Sequence, residues 1–308
     1  MDTNEENWHE SYRSYQELLE RVDVVFGKIQ ENHFIVSDCM KPVVDTLYWG
    51  YQKFLEFVVG VQAARLERAK NAVDTAILSA FISDDLRLPL SQTRKVIEAA
   101  LLHDVGMLCI PSEIREKTDT LSKSEWCYIL THPIQSYKVI GRELHCLEDV
   151  ALIAMQHHEA WNGKGYPKRL AGADIALEAR IISVADAFTA IISDRPYRSG
   201  MGGHQAMERL VSDATGQFDP DILKSFARIM GMYPIGSLVE LTNGAAARIL
   251  QYVPGESQLK PLVRIVTGAP QEPLSKGETR NLAAEKGLLI KRPLNRQDVL
   301  MDILAMGT

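Results

Sequence analysis

At Ser237 the hydrophobic period of this 308-residue chain changes, and that change constrains the fold more than any other feature. Before it, from about residue 65 to residue 230, apolar residues recur at the three- and four-residue steps that keep one helix face buried. The runs lie at 77–82, 96–102, 126–130, 150–155, 181–192 and 222–229. After it, 237–244 reads as a strand entering a turn at Asn243-Gly244, followed by 247–253 and 262–266. The expected fold class is mainly α, a helical bundle with N-terminal helices and a small C-terminal β appendage. The expected division is an N-terminal helical region at 1–64, a helical domain at 65–232 and a β-containing extension at 233–308.

The first helix has a regular period of its own. Trp8, Tyr12, Tyr15, Leu19, Val22, Phe26 and Ile29 alternate steps of four and three, which keeps one stripe on a helix face. Two readings fit that stripe: a coiled-coil seam that forms a homodimer through the N-terminal helices, or an amphipathic helix packed on its own domain. The second is the simpler for so short a run. A second helix follows Pro42, with Leu47, Tyr51, Phe54 and Val58 on one face.

Composition excludes several classes of partner. The net charge of −6 argues against long DNA or RNA, whose binders are usually basic. Cys39, Cys109, Cys127 and Cys146 form no paired spacing, so disulfides and zinc ribbons are not expected, and free core thiols are the simpler account. The acidic, polar first residues are unlike a signal peptide, and no apolar run reaches the length of a membrane span. A cytoplasmic protein is the expectation.

The chemistry concentrates in His103-Asp104, His132, His157-His158 and Asp186. Adjacent side chains on a helix diverge by about 100°, so an adjacent His-Asp pair suits a cluster better than one tetrahedral site. In such a cluster the imidazole takes one ion and the carboxylate bridges two. Nitrogen and oxygen ligands without thiolate favour iron or manganese over structural zinc and leave catalytic zinc open. The remaining histidines, His9, His33, His145 and His204, read as ordinary polar or core residues. Metal ligands near the arginine-rich segment Arg195-Pro196-Tyr197-Arg198 point to hydrolysis of a phosphate ester.

These segments closely resemble the HD-GYP family, bacterial phosphodiesterases that hydrolyse cyclic di-GMP. The resemblance rests on AALLHDVG at 99–106, HP at 132–133, HHEAWNGKGYP at 157–167, RIISVADAFTA at 180–190, DRPYR at 194–198 and MYPIGSLVELTNG at 232–244. It implies an HD-type helical catalytic domain, with two or three divalent ions held by His103, Asp104, His132, His157, His158 and Asp186. It further implies that Asp104 bridges ions, that a bridging water is the nucleophile, and that the product is pGpG or, further on, GMP. Tyr166 matches the GYP tyrosine, Arg195 a ligand-binding arginine, and Arg198 lies where a second cation often sits. Taken alone, Gly165-Tyr166-Pro167 is equally a turn, and Arg195 equally a partner for Asp194.

Two positions depart from the family pattern. Met107 stands where members usually carry a lysine that assists the substrate phosphate, and a thioether can neither donate a hydrogen bond nor carry charge. Asn71 stands where members carry a histidine, with Glu67 one turn earlier; for Glu67 a solvated side chain beside Arg65 and Arg68 is the simpler expectation. These departures leave a second reading open, a receptor that binds cyclic di-GMP or another cyclic dinucleotide and hydrolyses it weakly or not at all. An HD phosphohydrolase for another nucleotide, such as a mixed cyclic dinucleotide, is a third.

Overall fold

The computed structural model describes residues 3–31, 36–62, 64–143, 148–194, 199–213, 215–253, 256–266 and 278–294. Its helices are α1 (Thr3–Gln30), α2 (Val36–Gly50), α3 (Leu55–Gly60), α4 (Glu67–Asp85), α5 (Leu90–Leu102), α6 (Ser112–Arg115), α7 (Lys123–Ile129), α8 (His132–Glu143), α9 (Glu148–Gln156), α10 (Leu177–Ile192), α11 (Gly203–Ser212) and α12 (Pro220–Met230). Helix α4 lies at the centre, packed against α1, α5, α10 and α12. Its residues from Ala72 to Ala80 are all buried, as expected of a helix covered on every side. Two of the groups buried on α4 are charged. Lys70 donates to Asp74 and to the Val58 carbonyl (3.1 Å), and the Tyr15 hydroxyl donates to Asp74 (2.6 Å), so the pair is enclosed with its hydrogen bonds made.

The α1 stripe faces inward. Tyr15, Leu19 and Val22 are fully buried and Phe26 nearly so, in one core that runs from α1 to Met230 at the end of α12. Trp8, Tyr12 and Ile29 pack against the same core. The stripe is thus spent on the chain's own domain, and a homodimer through it has no support in the structure.

Beyond α12 lie strands β1 (Leu238–Leu241), β2 (Ala246–Gln251), β3 (Leu262–Ile265), β4 (Thr279–Asn281) and β5 (Ile290–Leu294). They form an antiparallel sheet in the order β4-β3-β2-β1-β5. The β1–β2 hairpin turns at Asn243-Gly244, where Gly244 takes a φ of +85° that other residues rarely adopt. Val239, Leu241, Ala247, Ile249 and Val263 form the sheet's core. The period anticipates β1, β2 and β3 but not the two edges. β4 is three residues long, and β5 carries Lys291, Arg292 and Pro293, which suit an edge and erase the alternation. Lys291 and Arg292 both pair with Glu240 of β1 at 2.6 Å.

Two expectations of burial fail. Cys109 and Cys127 are free but exposed, not core thiols; Cys146 and the side chain of Cys39 lie outside the described residues. The stripe at 126–130 falls on helix α7 as its spacing predicts, yet it is not buried: Trp126 is 52% exposed and Tyr128 55%. Helix α7 spans only seven residues and sits in a surface excursion between α6 and α8, so its apolar face has little to pack on.

Candidate metal centre

Helix ends build this site. Helix α5 stops at Leu102, directly before His103-Asp104; α8 begins with His132; α9 stops at Gln156, directly before His157-His158. The last carbonyls of a helix lack partners within it. Three of them are taken up in the same way. His103 Nδ1 meets the Ala100 carbonyl at 2.7 Å, His132 Nδ1 meets Ile129 at 2.7 Å, and His157 Nδ1 meets Ala154 at 2.6 Å. A carbonyl only accepts, so each Nδ1 carries a proton, and each ring, when neutral, turns its Nε2 lone pair toward the others.

The lone pairs converge on two carboxylates. Asp104 Oδ1 lies 3.1 Å from His132 Nε2 and 3.6 Å from His157 Nε2, while its Oδ2 lies 3.6 Å from His103 Nε2. Asp186, on α10, places Oδ1 3.4 Å from His103 Nε2. The ligand atoms fall into two groups, each within 4.8 Å: Asp104, His132, His157 and His158, and His103, His157 and Asp186. His157 belongs to both, and the two oxygens of Asp104 face different imidazoles. All six residues predicted as ligands therefore meet in one place.

The donor set fits divalent cations. His103 Nε2 and Asp104 Oδ1 are buried without a hydrogen-bond partner among the described residues, a costly state unless something positive lies between them. His132 Nε2 and His157 Nε2 face each other at 3.4 Å. Two lone pairs in that position repel unless a proton or a cation sits between them.

Without a cation the cluster holds protons. Burial disfavours the charged form of His103, but Asp104 and Asp186 outweigh it and push its pKa up to about 9. His132 is also raised, by Asp104 against burial. His157 and His158 move down, in both cases chiefly through burial, which disfavours the charged ring; for His157 this prevails over its hydrogen bond with Asp104. Burial pulls Asp104 and Asp186 up, yet the histidines, His103 foremost, hold both below the ordinary carboxylate range. A metal takes only neutral imidazole, so it must displace the His103 proton at neutral pH. Metal affinity is therefore expected to rise with pH and to level off near pH 9, with proton release on binding. Calorimetry in buffers of different ionisation enthalpy measures this, and a pH-independent affinity would contradict it.

The segment after His158 forms the next wall. Tyr166 stacks on His158 with ring centroids 4.8 Å apart, and its N–H donates to the His158 carbonyl at 3.1 Å. Burial, then Asp104 and Asp186, raise the Tyr166 pKa, so its hydroxyl stays a donor. Glu159, buried, accepts from the Lys168 N–H (2.6 Å) and the Leu170 N–H (2.9 Å) and so fixes the loop that carries Tyr166. Sequence reasoning passed over Glu159. Its only signal is a carboxylate inside the histidine motif, which could as well have been solvated.

Asn71 and Met107 both reach the site. They line a cleft of about 760 Å³ together with Asp104, Arg115, Lys117 and Trp126. Asn71 Nδ2 donates to Asp186 Oδ1 at 3.3 Å, and Asn71 Oδ1 is buried without a partner among the described residues. Glu67 lines the same cleft, half-buried, instead of pointing freely to solvent. Arg195 and Arg198 lie outside the described residues, as do His33 and His145; the carboxylate of Asp194 accepts from the Gly200 N–H at 2.8 Å. His204 is an ordinary structural histidine, bonded through Nδ1 to the Met232 carbonyl at 2.7 Å, and His9 is exposed beside Trp8.

A family model described as an HD domain matches residues 61–222, and one described as a KOW domain associated with HD domain matches 238–301, the β sheet. Cyclic di-GMP phosphodiesterase PA4108 of Pseudomonas aeruginosa is 34% identical over 202 residues, 65% of this chain and 48% of that protein. Cyclic di-GMP phosphodiesterase PdeB of Borreliella burgdorferi is 33% identical over 180 residues, 58% of this chain and 47% of that protein. The 3'3'-cGAMP-specific phosphodiesterase 2 of Vibrio cholerae is 35% identical over 135 residues, 44% of this chain and 26% of that protein. The chain spans about half the length of the first two. No helix among the described residues is long and apolar enough to cross a membrane. With an HD model covering 61–222 and relatives of this kind, the chain belongs to the HD domain family, as a homologue of its cyclic dinucleotide phosphodiesterases.

Proposed function

We propose that this chain is a metal-dependent phosphodiesterase that hydrolyses cyclic di-GMP to pGpG and onward to GMP. One observation carries the reading: six ligand residues from four separate segments converge, with three imidazoles each locked by a helix-end carbonyl. Outer partners of this kind fix ring orientation and raise ligand basicity. The proposed catalytic unit is 65–232, with the β-containing extension at 233–308 as an attached module.

In this reading His103, His157 and Asp186 would hold one ion, and Asp104, His132 and His158 would hold the other. The nitrogen and oxygen donors favour iron or manganese. Asn71 orients Asp186 through its amide N–H, and its neutral amide oxygen is a weaker metal ligand than the imidazole it replaces, which favours two ions over three. When bound, such ions polarise phosphoryl oxygens and lower the pKa of a coordinated water. The chain supplies the rest. Asp104 accepts charge from both sides of the cluster, and the protonated Tyr166 hydroxyl is a donor at the His158 edge of the site. Arg195 and Arg198 are the proposed clamp for substrate phosphate and guanine, since an arginine fork matches paired oxygens.

The second reading, a receptor that retains the dinucleotide, is favoured by one observation. Met107 and Asn71 place an apolar and a neutral side chain in the cleft beside Asp104. Anaerobic purification with metal analysis, then incubation of iron- and manganese-loaded protein with cyclic di-GMP and with 3'3'-cGAMP, separates the possibilities. Linear product from cyclic di-GMP is the expected result. Full metal with no product from either nucleotide would favour the receptor, and product from 3'3'-cGAMP alone would correct the substrate.

A further inference from the structure

The cleft beside the cluster has three cations in its wall, Arg68, Arg115 and Lys117, and four acids, Glu67, Asp104, Glu116 and Asp119. Such a wall offers an anion no general basic field; recognition depends on which cation is turned inward with donors to spare. Lys117 is committed, since its ammonium meets both carboxylate oxygens of Glu125 at 2.9 and 2.8 Å. Arg68 is exposed. Arg115 is different. Its side chain is only 9% exposed, and Nη1 donates to the Met107 carbonyl at 3.3 Å. Nη2 donates to Glu116 at 2.9 Å, a carboxylate whose side chain is 65% exposed and therefore a weak, screened partner. Nε is buried with no hydrogen-bond partner among the described residues.

The backbone ties this guanidinium to the cluster. Residues Val105–Cys109 form a 3-10 turn, in which the Met107 N–H donates to the Asp104 carbonyl at 2.9 Å while the Met107 carbonyl receives Arg115. At a rise of about 2 Å per residue, Arg115 is anchored roughly 6 Å along the turn from Asp104. That is within reach of a phosphate whose other oxygens face the cluster. Arginine carries five N–H donors in a fixed fork, and a guanidinium already held at one donor loses little freedom on binding.

We propose that Arg115 is a substrate-binding residue that grips a phosphate of the dinucleotide. This rests on the reading of the cleft as the substrate site. The Met107 side chain brings no charge to its part of the wall, and Arg115 delivers one there from α6 through the Met107 carbonyl.

Arg115→Ala and Arg115→Gln test this in the metal-loaded protein. The probe is a phosphorothioate analogue of cyclic di-GMP, whose Kd is read by calorimetry alongside metal content and Tm. Glutamine can still donate to the Met107 carbonyl, so it removes the charge while keeping the anchor. Both variants are expected to weaken binding by at least about 10-fold, the effect of one charge-assisted hydrogen bond, with metal content and Tm unchanged. Binding by Arg115→Gln at the wild-type Kd would overturn the proposal and leave the phosphodiesterase reading intact. A wild-type protein that loads metal but binds no cyclic dinucleotide would overturn both.

Discussion

Asp104→Ala is expected to purify folded and without its metal ions, with hydrolysis of cyclic di-GMP at the background rate. The reason lies in how much converges on one side chain. Asp104 is the carboxylate that faces three imidazoles, His103 through Oδ2 and His132 and His157 through Oδ1. Removing it would take away a carboxylate shared by the facing imidazoles and the negative charge that would offset cations held there. The loss should exceed the about 10²–10³-fold that follows removal of a single transition-state donor.

The fold should survive that substitution. Asp104 sits in a turn after α5, is 39% exposed at its side chain, and belongs to no apolar cluster. Without it, His132 loses the carboxylate that raised its pKa, and His103 keeps Asp186 as its one acidic partner. Metal analysis and circular dichroism on the same sample separate loss of the centre from loss of the fold. Full metal content and undiminished turnover in this variant would end the metal-centre account.

The sequence shows residue types and spacings, and these were enough to single out the six residues that meet in the cluster and the helical frame. Ring orientation was not legible, because it depends on carbonyls left over at the ends of α5, α7 and α9, and any residue supplies a carbonyl. The α1 stripe was ambiguous for a physical reason too: a helix packed on its own core and one packed on a partner share the same period. Only the burial of Tyr15, Leu19 and Val22 within one chain decides it. β4 and β5 were hidden because edge strands are kept short, charged or proline-bearing, so they lack the alternation that marks a half-buried strand. Arg115 was invisible for a similar reason. A single arginine on a four-residue surface helix reads as solvated until its side chain is seen folded onto Met107.

Gly106 illustrates what neither motif nor period could supply, and Gly106→Ala is expected to have the second large effect. A Cβ at this position would lie 2.1 Å from the His132 carbonyl oxygen and 2.4 Å from the Ser136 nitrogen. These are backbone atoms of the first turn of α8, so neither can rotate aside. The contact is close because Ser136 clasps two neighbours: its hydroxyl accepts from the Gly106 N–H at 2.8 Å and donates to the His103 carbonyl at 2.7 Å. The clasp seats α8, and with it His132, against the turn that carries His103 and Asp104. Forcing a methyl into it should cost about 1–3 kcal/mol as overpacking. It should also push His132 out of line with Asp104 by enough to lower turnover about 100-fold, since a misplacement of about 1 Å has that effect. Ser136→Ala is the control. It loses the two hydrogen bonds but leaves the space, so it should lower Tm while largely keeping metal content. Thermal melts with metal analysis compare the two variants, and a Gly106→Ala protein with the wild-type Tm and full metal would show that this contact does not hold the centre in register.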